Sequence, residues 1–398
     1  MTSARARHPS EAAPRWVGFV LLWLAGIDLR VTILAVPPVL PLIHRDLGLT
    51  ETGVAALTGL PVVLFAVAAV LGALCIARWG ARRTLIAGTL CAALASGLRG
   101  VGPSIAMLFV MTFIMGAGIA VTQPAVPSLV DRWFPTRVGL ATAVFVNGIL
   151  VGETLSASLT LPVALPLMHH SWELSFVLWG ALVLLTVVPM AGLSSLLPDA
   201  AGGPRDPWWP QWKTAKTWQL GLLMGGASSS YFAANAFIPE FLRAIGRPAL
   251  VGECLTALNV SQLPASLVAA LIASRAVGRR EPFLIIGVGM LVSQGVFFLP
   301  QARGAVIGAG MLGFFFAMAL ALCLALPPIL ADRGEVHRLS AGMYAIAYAY
   351  SFVAPLIGGA MWDLTAVPAV SFLPIAAGAL TILGAAATLP ARRFMPGG

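Results

Sequence analysis

Three charged side chains lie inside stretches that are otherwise strongly apolar. Asp28 and Arg30 occur in LLWLAGIDLRVTILAVPPVLPLI, residues 21–43, and Glu153 lies midway along another such stretch. In a membrane-spanning helix, a charge at the bilayer centre costs roughly 2.5–3.5 kcal/mol on insertion scales, so it faces the bundle interior or a wet cavity. These residues are the first candidates for binding or proton transfer.

Arg30 and Asp28 are predicted to have different roles. If a helix begins near Trp16, Arg30 lies about 21 Å along it, near mid-membrane. Its planar guanidinium can bind a carboxylate-like group through two hydrogen bonds, so we favour substrate binding over a purely internal ion pair. Asp28 is two positions away, about 200° around the helix, and faces the opposite direction. We expect it to bond another helix or the backbone, with proton coupling as the alternative.

Glu153 is the second candidate for proton coupling. A buried carboxylate beside an arginine responds to what that arginine binds, because the neighbouring charge sets its proton affinity. A static ion pair with Arg30 is an equally open interpretation.

Uncharged polar residues form pairs on single helix faces. A spacing of three or four residues places two side chains on one face, and we expect these pairs to line a cavity: Tyr231 with Asn235, Asn259 with Gln262, and Tyr344 with Tyr348. Asn147 shares a face with Thr154, seven residues later, and is expected to line the same cavity.

Two further patterns favour structural roles. Gly148, Gly152 and Ser156 recur every four residues, a small-residue stripe typical of closely packed helices. Gln123, which precedes Pro124 in an apolar stretch, is assigned to structure as well.

The composition indicates the environment that these residues need. The 398 residues are 59% hydrophobic and 10% charged, with a mean hydropathy of +0.92. Soluble domains carry about 25% charged residues, so this chain has too few to cover its surface in water. Lipid is the alternative solvent, and we predict an all-α membrane protein with twelve transmembrane helices.

The twelve predicted spans are runs of about 20 or more mostly apolar residues. They lie near 16–42, 53–77, 84–102, 104–129, 138–166, 172–197, 217–243, 251–274, 282–300, 303–330, 340–363 and 367–390. Little sequence remains for a soluble catalytic domain, and no His lies in a predicted helix core. We therefore predict no enzyme activity, no cofactor and no metal site; His169 and His170 lie in a predicted loop without supporting ligands.

The net charge of +9 is explained by topology rather than by nucleic-acid binding. Most Arg and Lys residues fall in the tails and even-numbered loops, which the positive-inside rule places in the cytoplasm together with both termini. The odd-numbered loops or their edges hold only Arg45, Arg99, Arg243, Arg247 and Arg303.

The chain also repeats itself. LTGLPVVLFAVAAVLGALCIARWGARR, 57–83, is echoed by LTALNVSQLPASLVAALIASRAVGRR, 255–280. We predict two pseudo-symmetric six-helix bundles, 16–198 and 217–391, joined by a cytoplasmic linker at 199–216 and flanked by tails at 1–15 and 392–398.

This organisation resembles the major facilitator superfamily of secondary transporters. The motif after the second span is degenerate, because Arg78, Gly80, Arg82 and Arg83 are present but Ala77 replaces the expected Asp. The stretches DLR with AVPPVLPLI, LTGLPVV, GIAVTQPAVPSLV and FVNGILVG resemble its cyanate and nitroimidazole transporter branch. The resemblance implies that the first and fifth helices are neighbours, which would allow Arg30 to pair with Glu153.

We therefore predict a multi-pass, monomeric transporter of the inner membrane. Its expected partners are the lipid bilayer, a small polar or anionic solute such as cyanate, a short carboxylate or a nitroimidazole, and a coupling proton. The alternative is a drug/proton antiporter of the same superfamily, although the Gly-Pro signature of those proteins in the fifth helix is absent.

Overall fold

The chain folds entirely into helices over the residues that its computed structural model describes, which are 15–49, 51–102, 104–197, 207–276, 279–332 and 334–388. The first half contains α1 (Arg15–Leu34), α2 (Val36–Leu47), α3 (Glu51–Trp79), α4 (Ala81–Leu98), α5 (Ile105–Thr122), α6 (Ala125–Trp133), α7 (Val138–Leu159), α8 (Leu165–Leu167) and α9 (Trp172–Leu193). A π-helical turn, Thr160–Ala164, joins α7 to α8, and a short 3₁₀ turn, Ser194–Leu196, follows α9.

The second half repeats this arrangement. It contains α10 (Ala215–Ala244), α11 (Leu250–Val260), α12 (Gln262–Ala276), α13 (Glu281–Phe297), α14 (Ala302–Ala325), α15 (Pro327–Leu330), α16 (Val336–Thr365) and α17 (Leu373–Ala387), with a 3₁₀ turn, Pro368–Phe372, before α17. The expected all-α class is confirmed. The two tails, except Arg15, and the first part of the linker lie outside the described residues.

Nine helical segments in the described ranges are long and apolar enough to cross a membrane, and α13 is a shorter apolar helix. These segments bear out a multi-pass membrane protein. The count of twelve spans and the cytoplasmic position of both termini stay predictions.

Several of the predicted spans are broken beside prolines. The first, predicted as one run over 16–42, divides at Ala35 because Pro37 and Pro38 follow immediately in the first turn of α2. Proline lacks a backbone donor and its ring clashes with the preceding turn, so it is tolerated at a helix start and breaks a helix interior. Equivalent breaks precede Ala125 in the first half and Pro327 in the second.

The small-residue stripe of α7 sets how closely this helix approaches α1. A Cβ atom added to Gly148 would lie 2.2 Å from the carbonyl oxygen of Trp23, and one added to Gly152 would lie 2.5 Å from that of Ile27. The predicted packing role of the stripe is thus confirmed. The two glycines are one turn apart on α7, and the two carbonyl groups that they approach are one turn apart on α1. This register places Arg30 of α1 close to the level of Glu153 of α7.

The two halves meet toward one end of the molecule. We call it the basic end, because it carries Arg78, Arg82, Arg83, Arg280 and Arg338. There α6 contacts α15 and α16, while α7 packs along α12. Toward the opposite end lies a cleft of about 710 Å³ between α3, α10 and α16, whose lining includes Val62, Phe237, Phe352 and Asp363.

Helix α2 is hydrogen-bonded to α9 at the end of the molecule opposite the basic end. The indole nitrogen of Trp172 donates a hydrogen bond to Asp46 Oδ2 at 3.1 Å, and Arg45 Nε donates to Asp46 Oδ1 at 2.9 Å. The bond from Arg45, aided by that from Trp172, lowers the pKa of the Asp46 carboxyl, which therefore stays ionised at neutral pH.

Replacement of Gly148 by Leu should disrupt the α1–α7 contact. Overpacking of a close contact typically costs about 1–3 kcal/mol, because the backbones must separate. We expect a lower midpoint of thermal unfolding for Gly148→Leu in detergent. Gly192→Leu is the matched control, since a Cβ atom at Gly192 meets nothing within 4 Å. Equal midpoints for the two variants would contradict the packing role.

Candidate functional site

An ion pair lies where the two halves meet. Arg30 Nε is 3.4 Å from Glu153 Oε1, and the two side chains are only 15% and 12% exposed. Arg30 belongs to α1 and Glu153 to α7, so the close helix approach described above brings them together. The opposite charges compensate each other in a medium where either one alone would be costly.

A small closed cavity lies beside Arg30. Its polar lining comes from Arg30, Gln123, Tyr344 and Tyr348, and its remaining walls are apolar and include Phe65. The cavity volume of about 20 Å³ is close to the minimum that holds one water molecule. The structure therefore describes a site that is closed around its polar groups.

Aromatic rings form the walls of this region. The rings of Tyr344 and Tyr348 are nearly parallel, at 9° and 6.0 Å between centroids, and Phe65 contacts Tyr348 at 5.0 Å. Tyr231 is stacked on Phe316 at 4.3 Å. Flat ring faces beside a guanidinium suit a planar ligand with an anionic or strongly polar edge.

The predicted polar pairs of the second half join into one network. The Tyr231 hydroxyl donates to Asn259 Oδ1 at 3.0 Å, and Gln262 Nε2 donates to the same oxygen at 3.1 Å. Asn235 Oδ1 accepts a longer bond of 3.5 Å from Asn259 Nδ2. Tyr231 also interacts with Glu153, so the network reaches the ion pair, while the Oε1 atom of the buried Gln262 has no protein partner.

Asn147, on α7, forms hydrogen bonds with residues of α1 and α12. Its Oδ1 atom accepts a bond from Trp23 Nε1 at 3.0 Å, and its Nδ2 atom donates to Ser266 Oγ at 3.0 Å. Trp23 lies on α1 and Ser266 on α12, so the second bond joins the two halves of the molecule. Sequence reasoning missed both partners, because an indole and a hydroxyl are common in membrane helices.

Gln123 has a cavity position that the sequence did not reveal, in addition to the structural role assigned to it. Its Oε1 atom lies at the cavity and accepts a hydrogen bond of 2.9 Å from the Tyr348 hydroxyl. Like the Asn147–Ser266 contact, this bond joins the two halves. The missed signal was the position of an amide beside a proline, where a helix breaks and polar groups need partners.

Asp28 faces away from the ion pair, as its position on the helix predicted. Its side chain is 2% exposed, and its Oδ2 atom accepts a bond of 2.5 Å from the Thr186 hydroxyl on α9. The expectation that it bonds another helix is therefore confirmed. Its Oδ1 atom is buried without a partner.

Arg99 lies in the turn that follows α4, at the loop edge that the sequence indicated. It is fully buried, with its guanidinium 4.4 Å from the ring centre of Phe176. Its Nη2 atom donates to the carbonyl oxygen of Thr32 at 2.8 Å and to Ser96 Oγ at 2.9 Å. Thr32 is in the last turn of α1, where carbonyl groups lack helical partners, so Arg99 supports α1 just before its break. Within the described residues no carboxylate pairs with it.

Loss of the Tyr348 hydroxyl should weaken the contact between the two halves near the basic end. A hydrogen bond of this kind contributes about 0.5–1.5 kcal/mol, so we expect backbone amide exchange in α6 to rise about two- to tenfold in Tyr348→Phe. Hydrogen-exchange mass spectrometry measures this rate. Tyr350→Phe is the matched control, because its hydroxyl bonds Thr381 within the second half. Equal exchange in the two variants would show that the Gln123 bond does not hold the halves together.

Comparison with known proteins agrees with this architecture. Residues 19–224 match the family described as Major Facilitator Superfamily. The cyanate transport protein CynX of Escherichia coli (strain K12) is 25% identical over 87% of this chain and 90% of its own length. The 2-nitroimidazole transporter of the same organism is 28% identical over 56% of this chain and 58% of its own.

A solved structure supports the fold alone. The transporter FucP, crystallised in an outward conformation, superposes with a TM-score of 0.77 over 94% of this chain and 98% of its own, at 12% sequence identity.

Proposed function

This chain belongs to the Major Facilitator Superfamily and is related to the cyanate and nitroimidazole transporters, and from that membership we propose that it moves a small polar or anionic solute across the inner membrane by alternating access. The observation that carries this proposal is the Arg30–Glu153 ion pair beside a closed cavity at the contact between the halves. Arg30 is the proposed substrate-binding group and Glu153 the proposed proton-coupling group.

Charge balance explains why both groups are needed. The ion pair leaves the closed site without net charge. A monovalent anion that binds the guanidinium of Arg30 in place of Glu153 leaves the Glu153 carboxylate unpaired. An unpaired buried charge costs several kcal/mol. A proton on Glu153 removes that charge. We therefore propose that one anion and one proton move together in the same direction.

The aromatic residues of the cavity support a planar solute. The parallel rings of Tyr344 and Tyr348 offer flat contact surfaces there. Outside the cavity lining, the buried Oε1 atom of Gln262 is an acceptor without a partner among the described residues. Cyanate, short carboxylates and nitro-heterocycles all combine a flat conjugated shape with a polar edge, and two relatives are named for solutes of the first and third kinds.

The architecture supports a rocking motion of two six-helix bundles around this site. In the observed state the halves contact each other through Asn147–Ser266 and Gln123–Tyr348, and the cleft lies toward the opposite end. Transport requires these contacts to break while the cleft closes.

We propose twelve spans with both termini in the cytoplasm, bundle boundaries at 16–198 and 217–391, and a functional monomer.

Substitution of Arg30 tests the binding proposal. A hydrogen bond to a charged group contributes about 1.5–3 kcal/mol, so Arg30→Ala should lower counterflow of the recognised solute in proteoliposomes by about tenfold or more. Arg30→Lys should retain part of the activity, because it keeps the charge but not the planar fork. The solutes to test are cyanate, formate, acetate and 2-nitroimidazole.

Arg303→Ala is the control, since this arginine is exposed at the start of α14. Unchanged counterflow of every recognised solute in Arg30→Ala would rule out its binding role. Export of bulky apolar cations by that variant at the rate of the unaltered protein would favour a drug/proton antiporter instead.

Substitution of Glu153 tests the coupling proposal. Glu153→Gln cannot release a proton, so it should retain counterflow but lose accumulation driven by a pH gradient. Asp28→Asn is the parallel variant for the second candidate carboxylate. Accumulation that survives in Glu153→Gln but fails in Asp28→Asn would transfer the coupling role to Asp28.

A further inference from the structure

A deep apolar groove runs along the outer surface of the second half. It lies between α10, α16 and α17, on the side away from the cavity, and has a volume of about 710 Å³. We call it the side groove; it is lined by Trp212, Trp218, Leu222, Ala345, Ile346, Ala349, Tyr350, Val353, Ala354, Ile357, Met361, Leu373, Pro374 and Ala377. It forms because α16 and α17 both pack along α10 but contact each other only sparsely.

The shape and chemistry of the side groove suit a hydrocarbon chain. Its α16 wall is one stripe of side chains from Ala345 to Met361, which spans about 24 Å at 1.5 Å per residue. One leaflet of a bilayer has a hydrocarbon depth of about 15 Å, half of the 30 Å core, so the groove can hold a chain over that whole depth. Small residues such as Ala345 and Ala349 make the groove deep.

The end of the groove near the basic end has the residues of a membrane interface. Trp218 Nε1 donates to the carbonyl oxygen of Trp212 at 2.8 Å, and this pair forms the rim. Lys213 follows Trp212 and is exposed. Tryptophan is enriched at the head-group level, and a lysine there attracts anionic lipids.

We propose that the side groove binds an acyl chain of an anionic phospholipid whose head group lies at the rim formed by Trp212, Lys213 and Trp218. The proposal depends on the membrane location of the chain and not on its substrate. A specific lipid at this place also bears on transport, because the opposite face of α16 carries Tyr344 and Tyr348. Pro355 interrupts the hydrogen bonds of α16 at the level of the groove, and a bound chain supports the helix there.

Native mass spectrometry tests lipid retention. The full-length protein is released from nanodiscs that contain equal amounts of phosphatidylglycerol and phosphatidylcholine, and the lipids that remain bound are counted. We expect one retained phosphatidylglycerol, which Ala349→Trp should displace by filling the groove. Leu185→Trp is the matched control, because Leu185 is 66% exposed on α9, outside the groove.

A second variant keeps the groove intact. Lys213→Gln should lower the preference for phosphatidylglycerol over phosphatidylcholine by about fivefold, as expected for one lysine near the membrane surface, and should leave the total number of bound lipids unchanged. This variant keeps the test valid if Ala349→Trp fails to fold.

Three results would overturn the proposal. They are equal lipid retention in Ala349→Trp and Leu185→Trp, an unchanged lipid preference in Lys213→Gln, and a dimer that Ala349→Trp abolishes, which would assign the groove to a second copy of the chain. Transport by the unaltered protein is measured separately, so failure of the lipid proposal leaves the transport proposal standing.

Discussion

The charge pair between Arg30 and Glu153 constrains the rest of the molecule. Either group alone would be an uncompensated charge in a region without bulk water, and removal of one partner of a buried pair typically costs about 3–5 kcal/mol. Under the proposed mechanism the guanidinium always has a partner, which is the carboxylate when the site is empty and an anion when it is loaded. Occupancy would then be coupled to protonation without a long-range signal, because the groups involved are in contact.

Backbone geometry places this pair. Gly148 and Gly152 let α7 approach the carbonyl groups of α1 so closely that no side chain larger than hydrogen fits between them. The same α1 ends a few residues beyond Arg30, where prolines begin α2. Arg99 donates to a carbonyl of that last turn from inside the bundle, so the end of the helix is satisfied by protein where water is excluded. Arg30 is thus held by a close helix contact on one side and a capped helix end on the other.

Helix α16 separates two environments. One face carries Tyr344 and Tyr348, which both line the cavity, and the Tyr348 hydroxyl bonds Gln123 of the other half. The other face is apolar and forms the wall of the side groove. Under the proposed mechanism the first face exchanges partners during transport while the second remains against hydrocarbon. Helix α16 would then connect lipid packing in the side groove with the residues beside Arg30.

The sequence by itself determined the features that depend on local composition. The apolar runs required lipid, and helix periodicity placed Asp28 and Arg30 on opposite faces. The breaks beside prolines were not part of that prediction, because the broken runs were predicted as continuous spans. Spacing also paired Tyr231 with Asn235 and Tyr344 with Tyr348. The family resemblance anticipated the pair of Arg30 with Glu153, and the structure contains it. Tertiary structure alone decided two other contacts across helices, Ser266 with Asn147 and Tyr348 with Gln123. It also decided that Arg99, in the turn after α4, is buried against α1 and α9. The physical reason is that a polar group needs a partner wherever it is buried, but packing between distant segments determines both the burial and the partner.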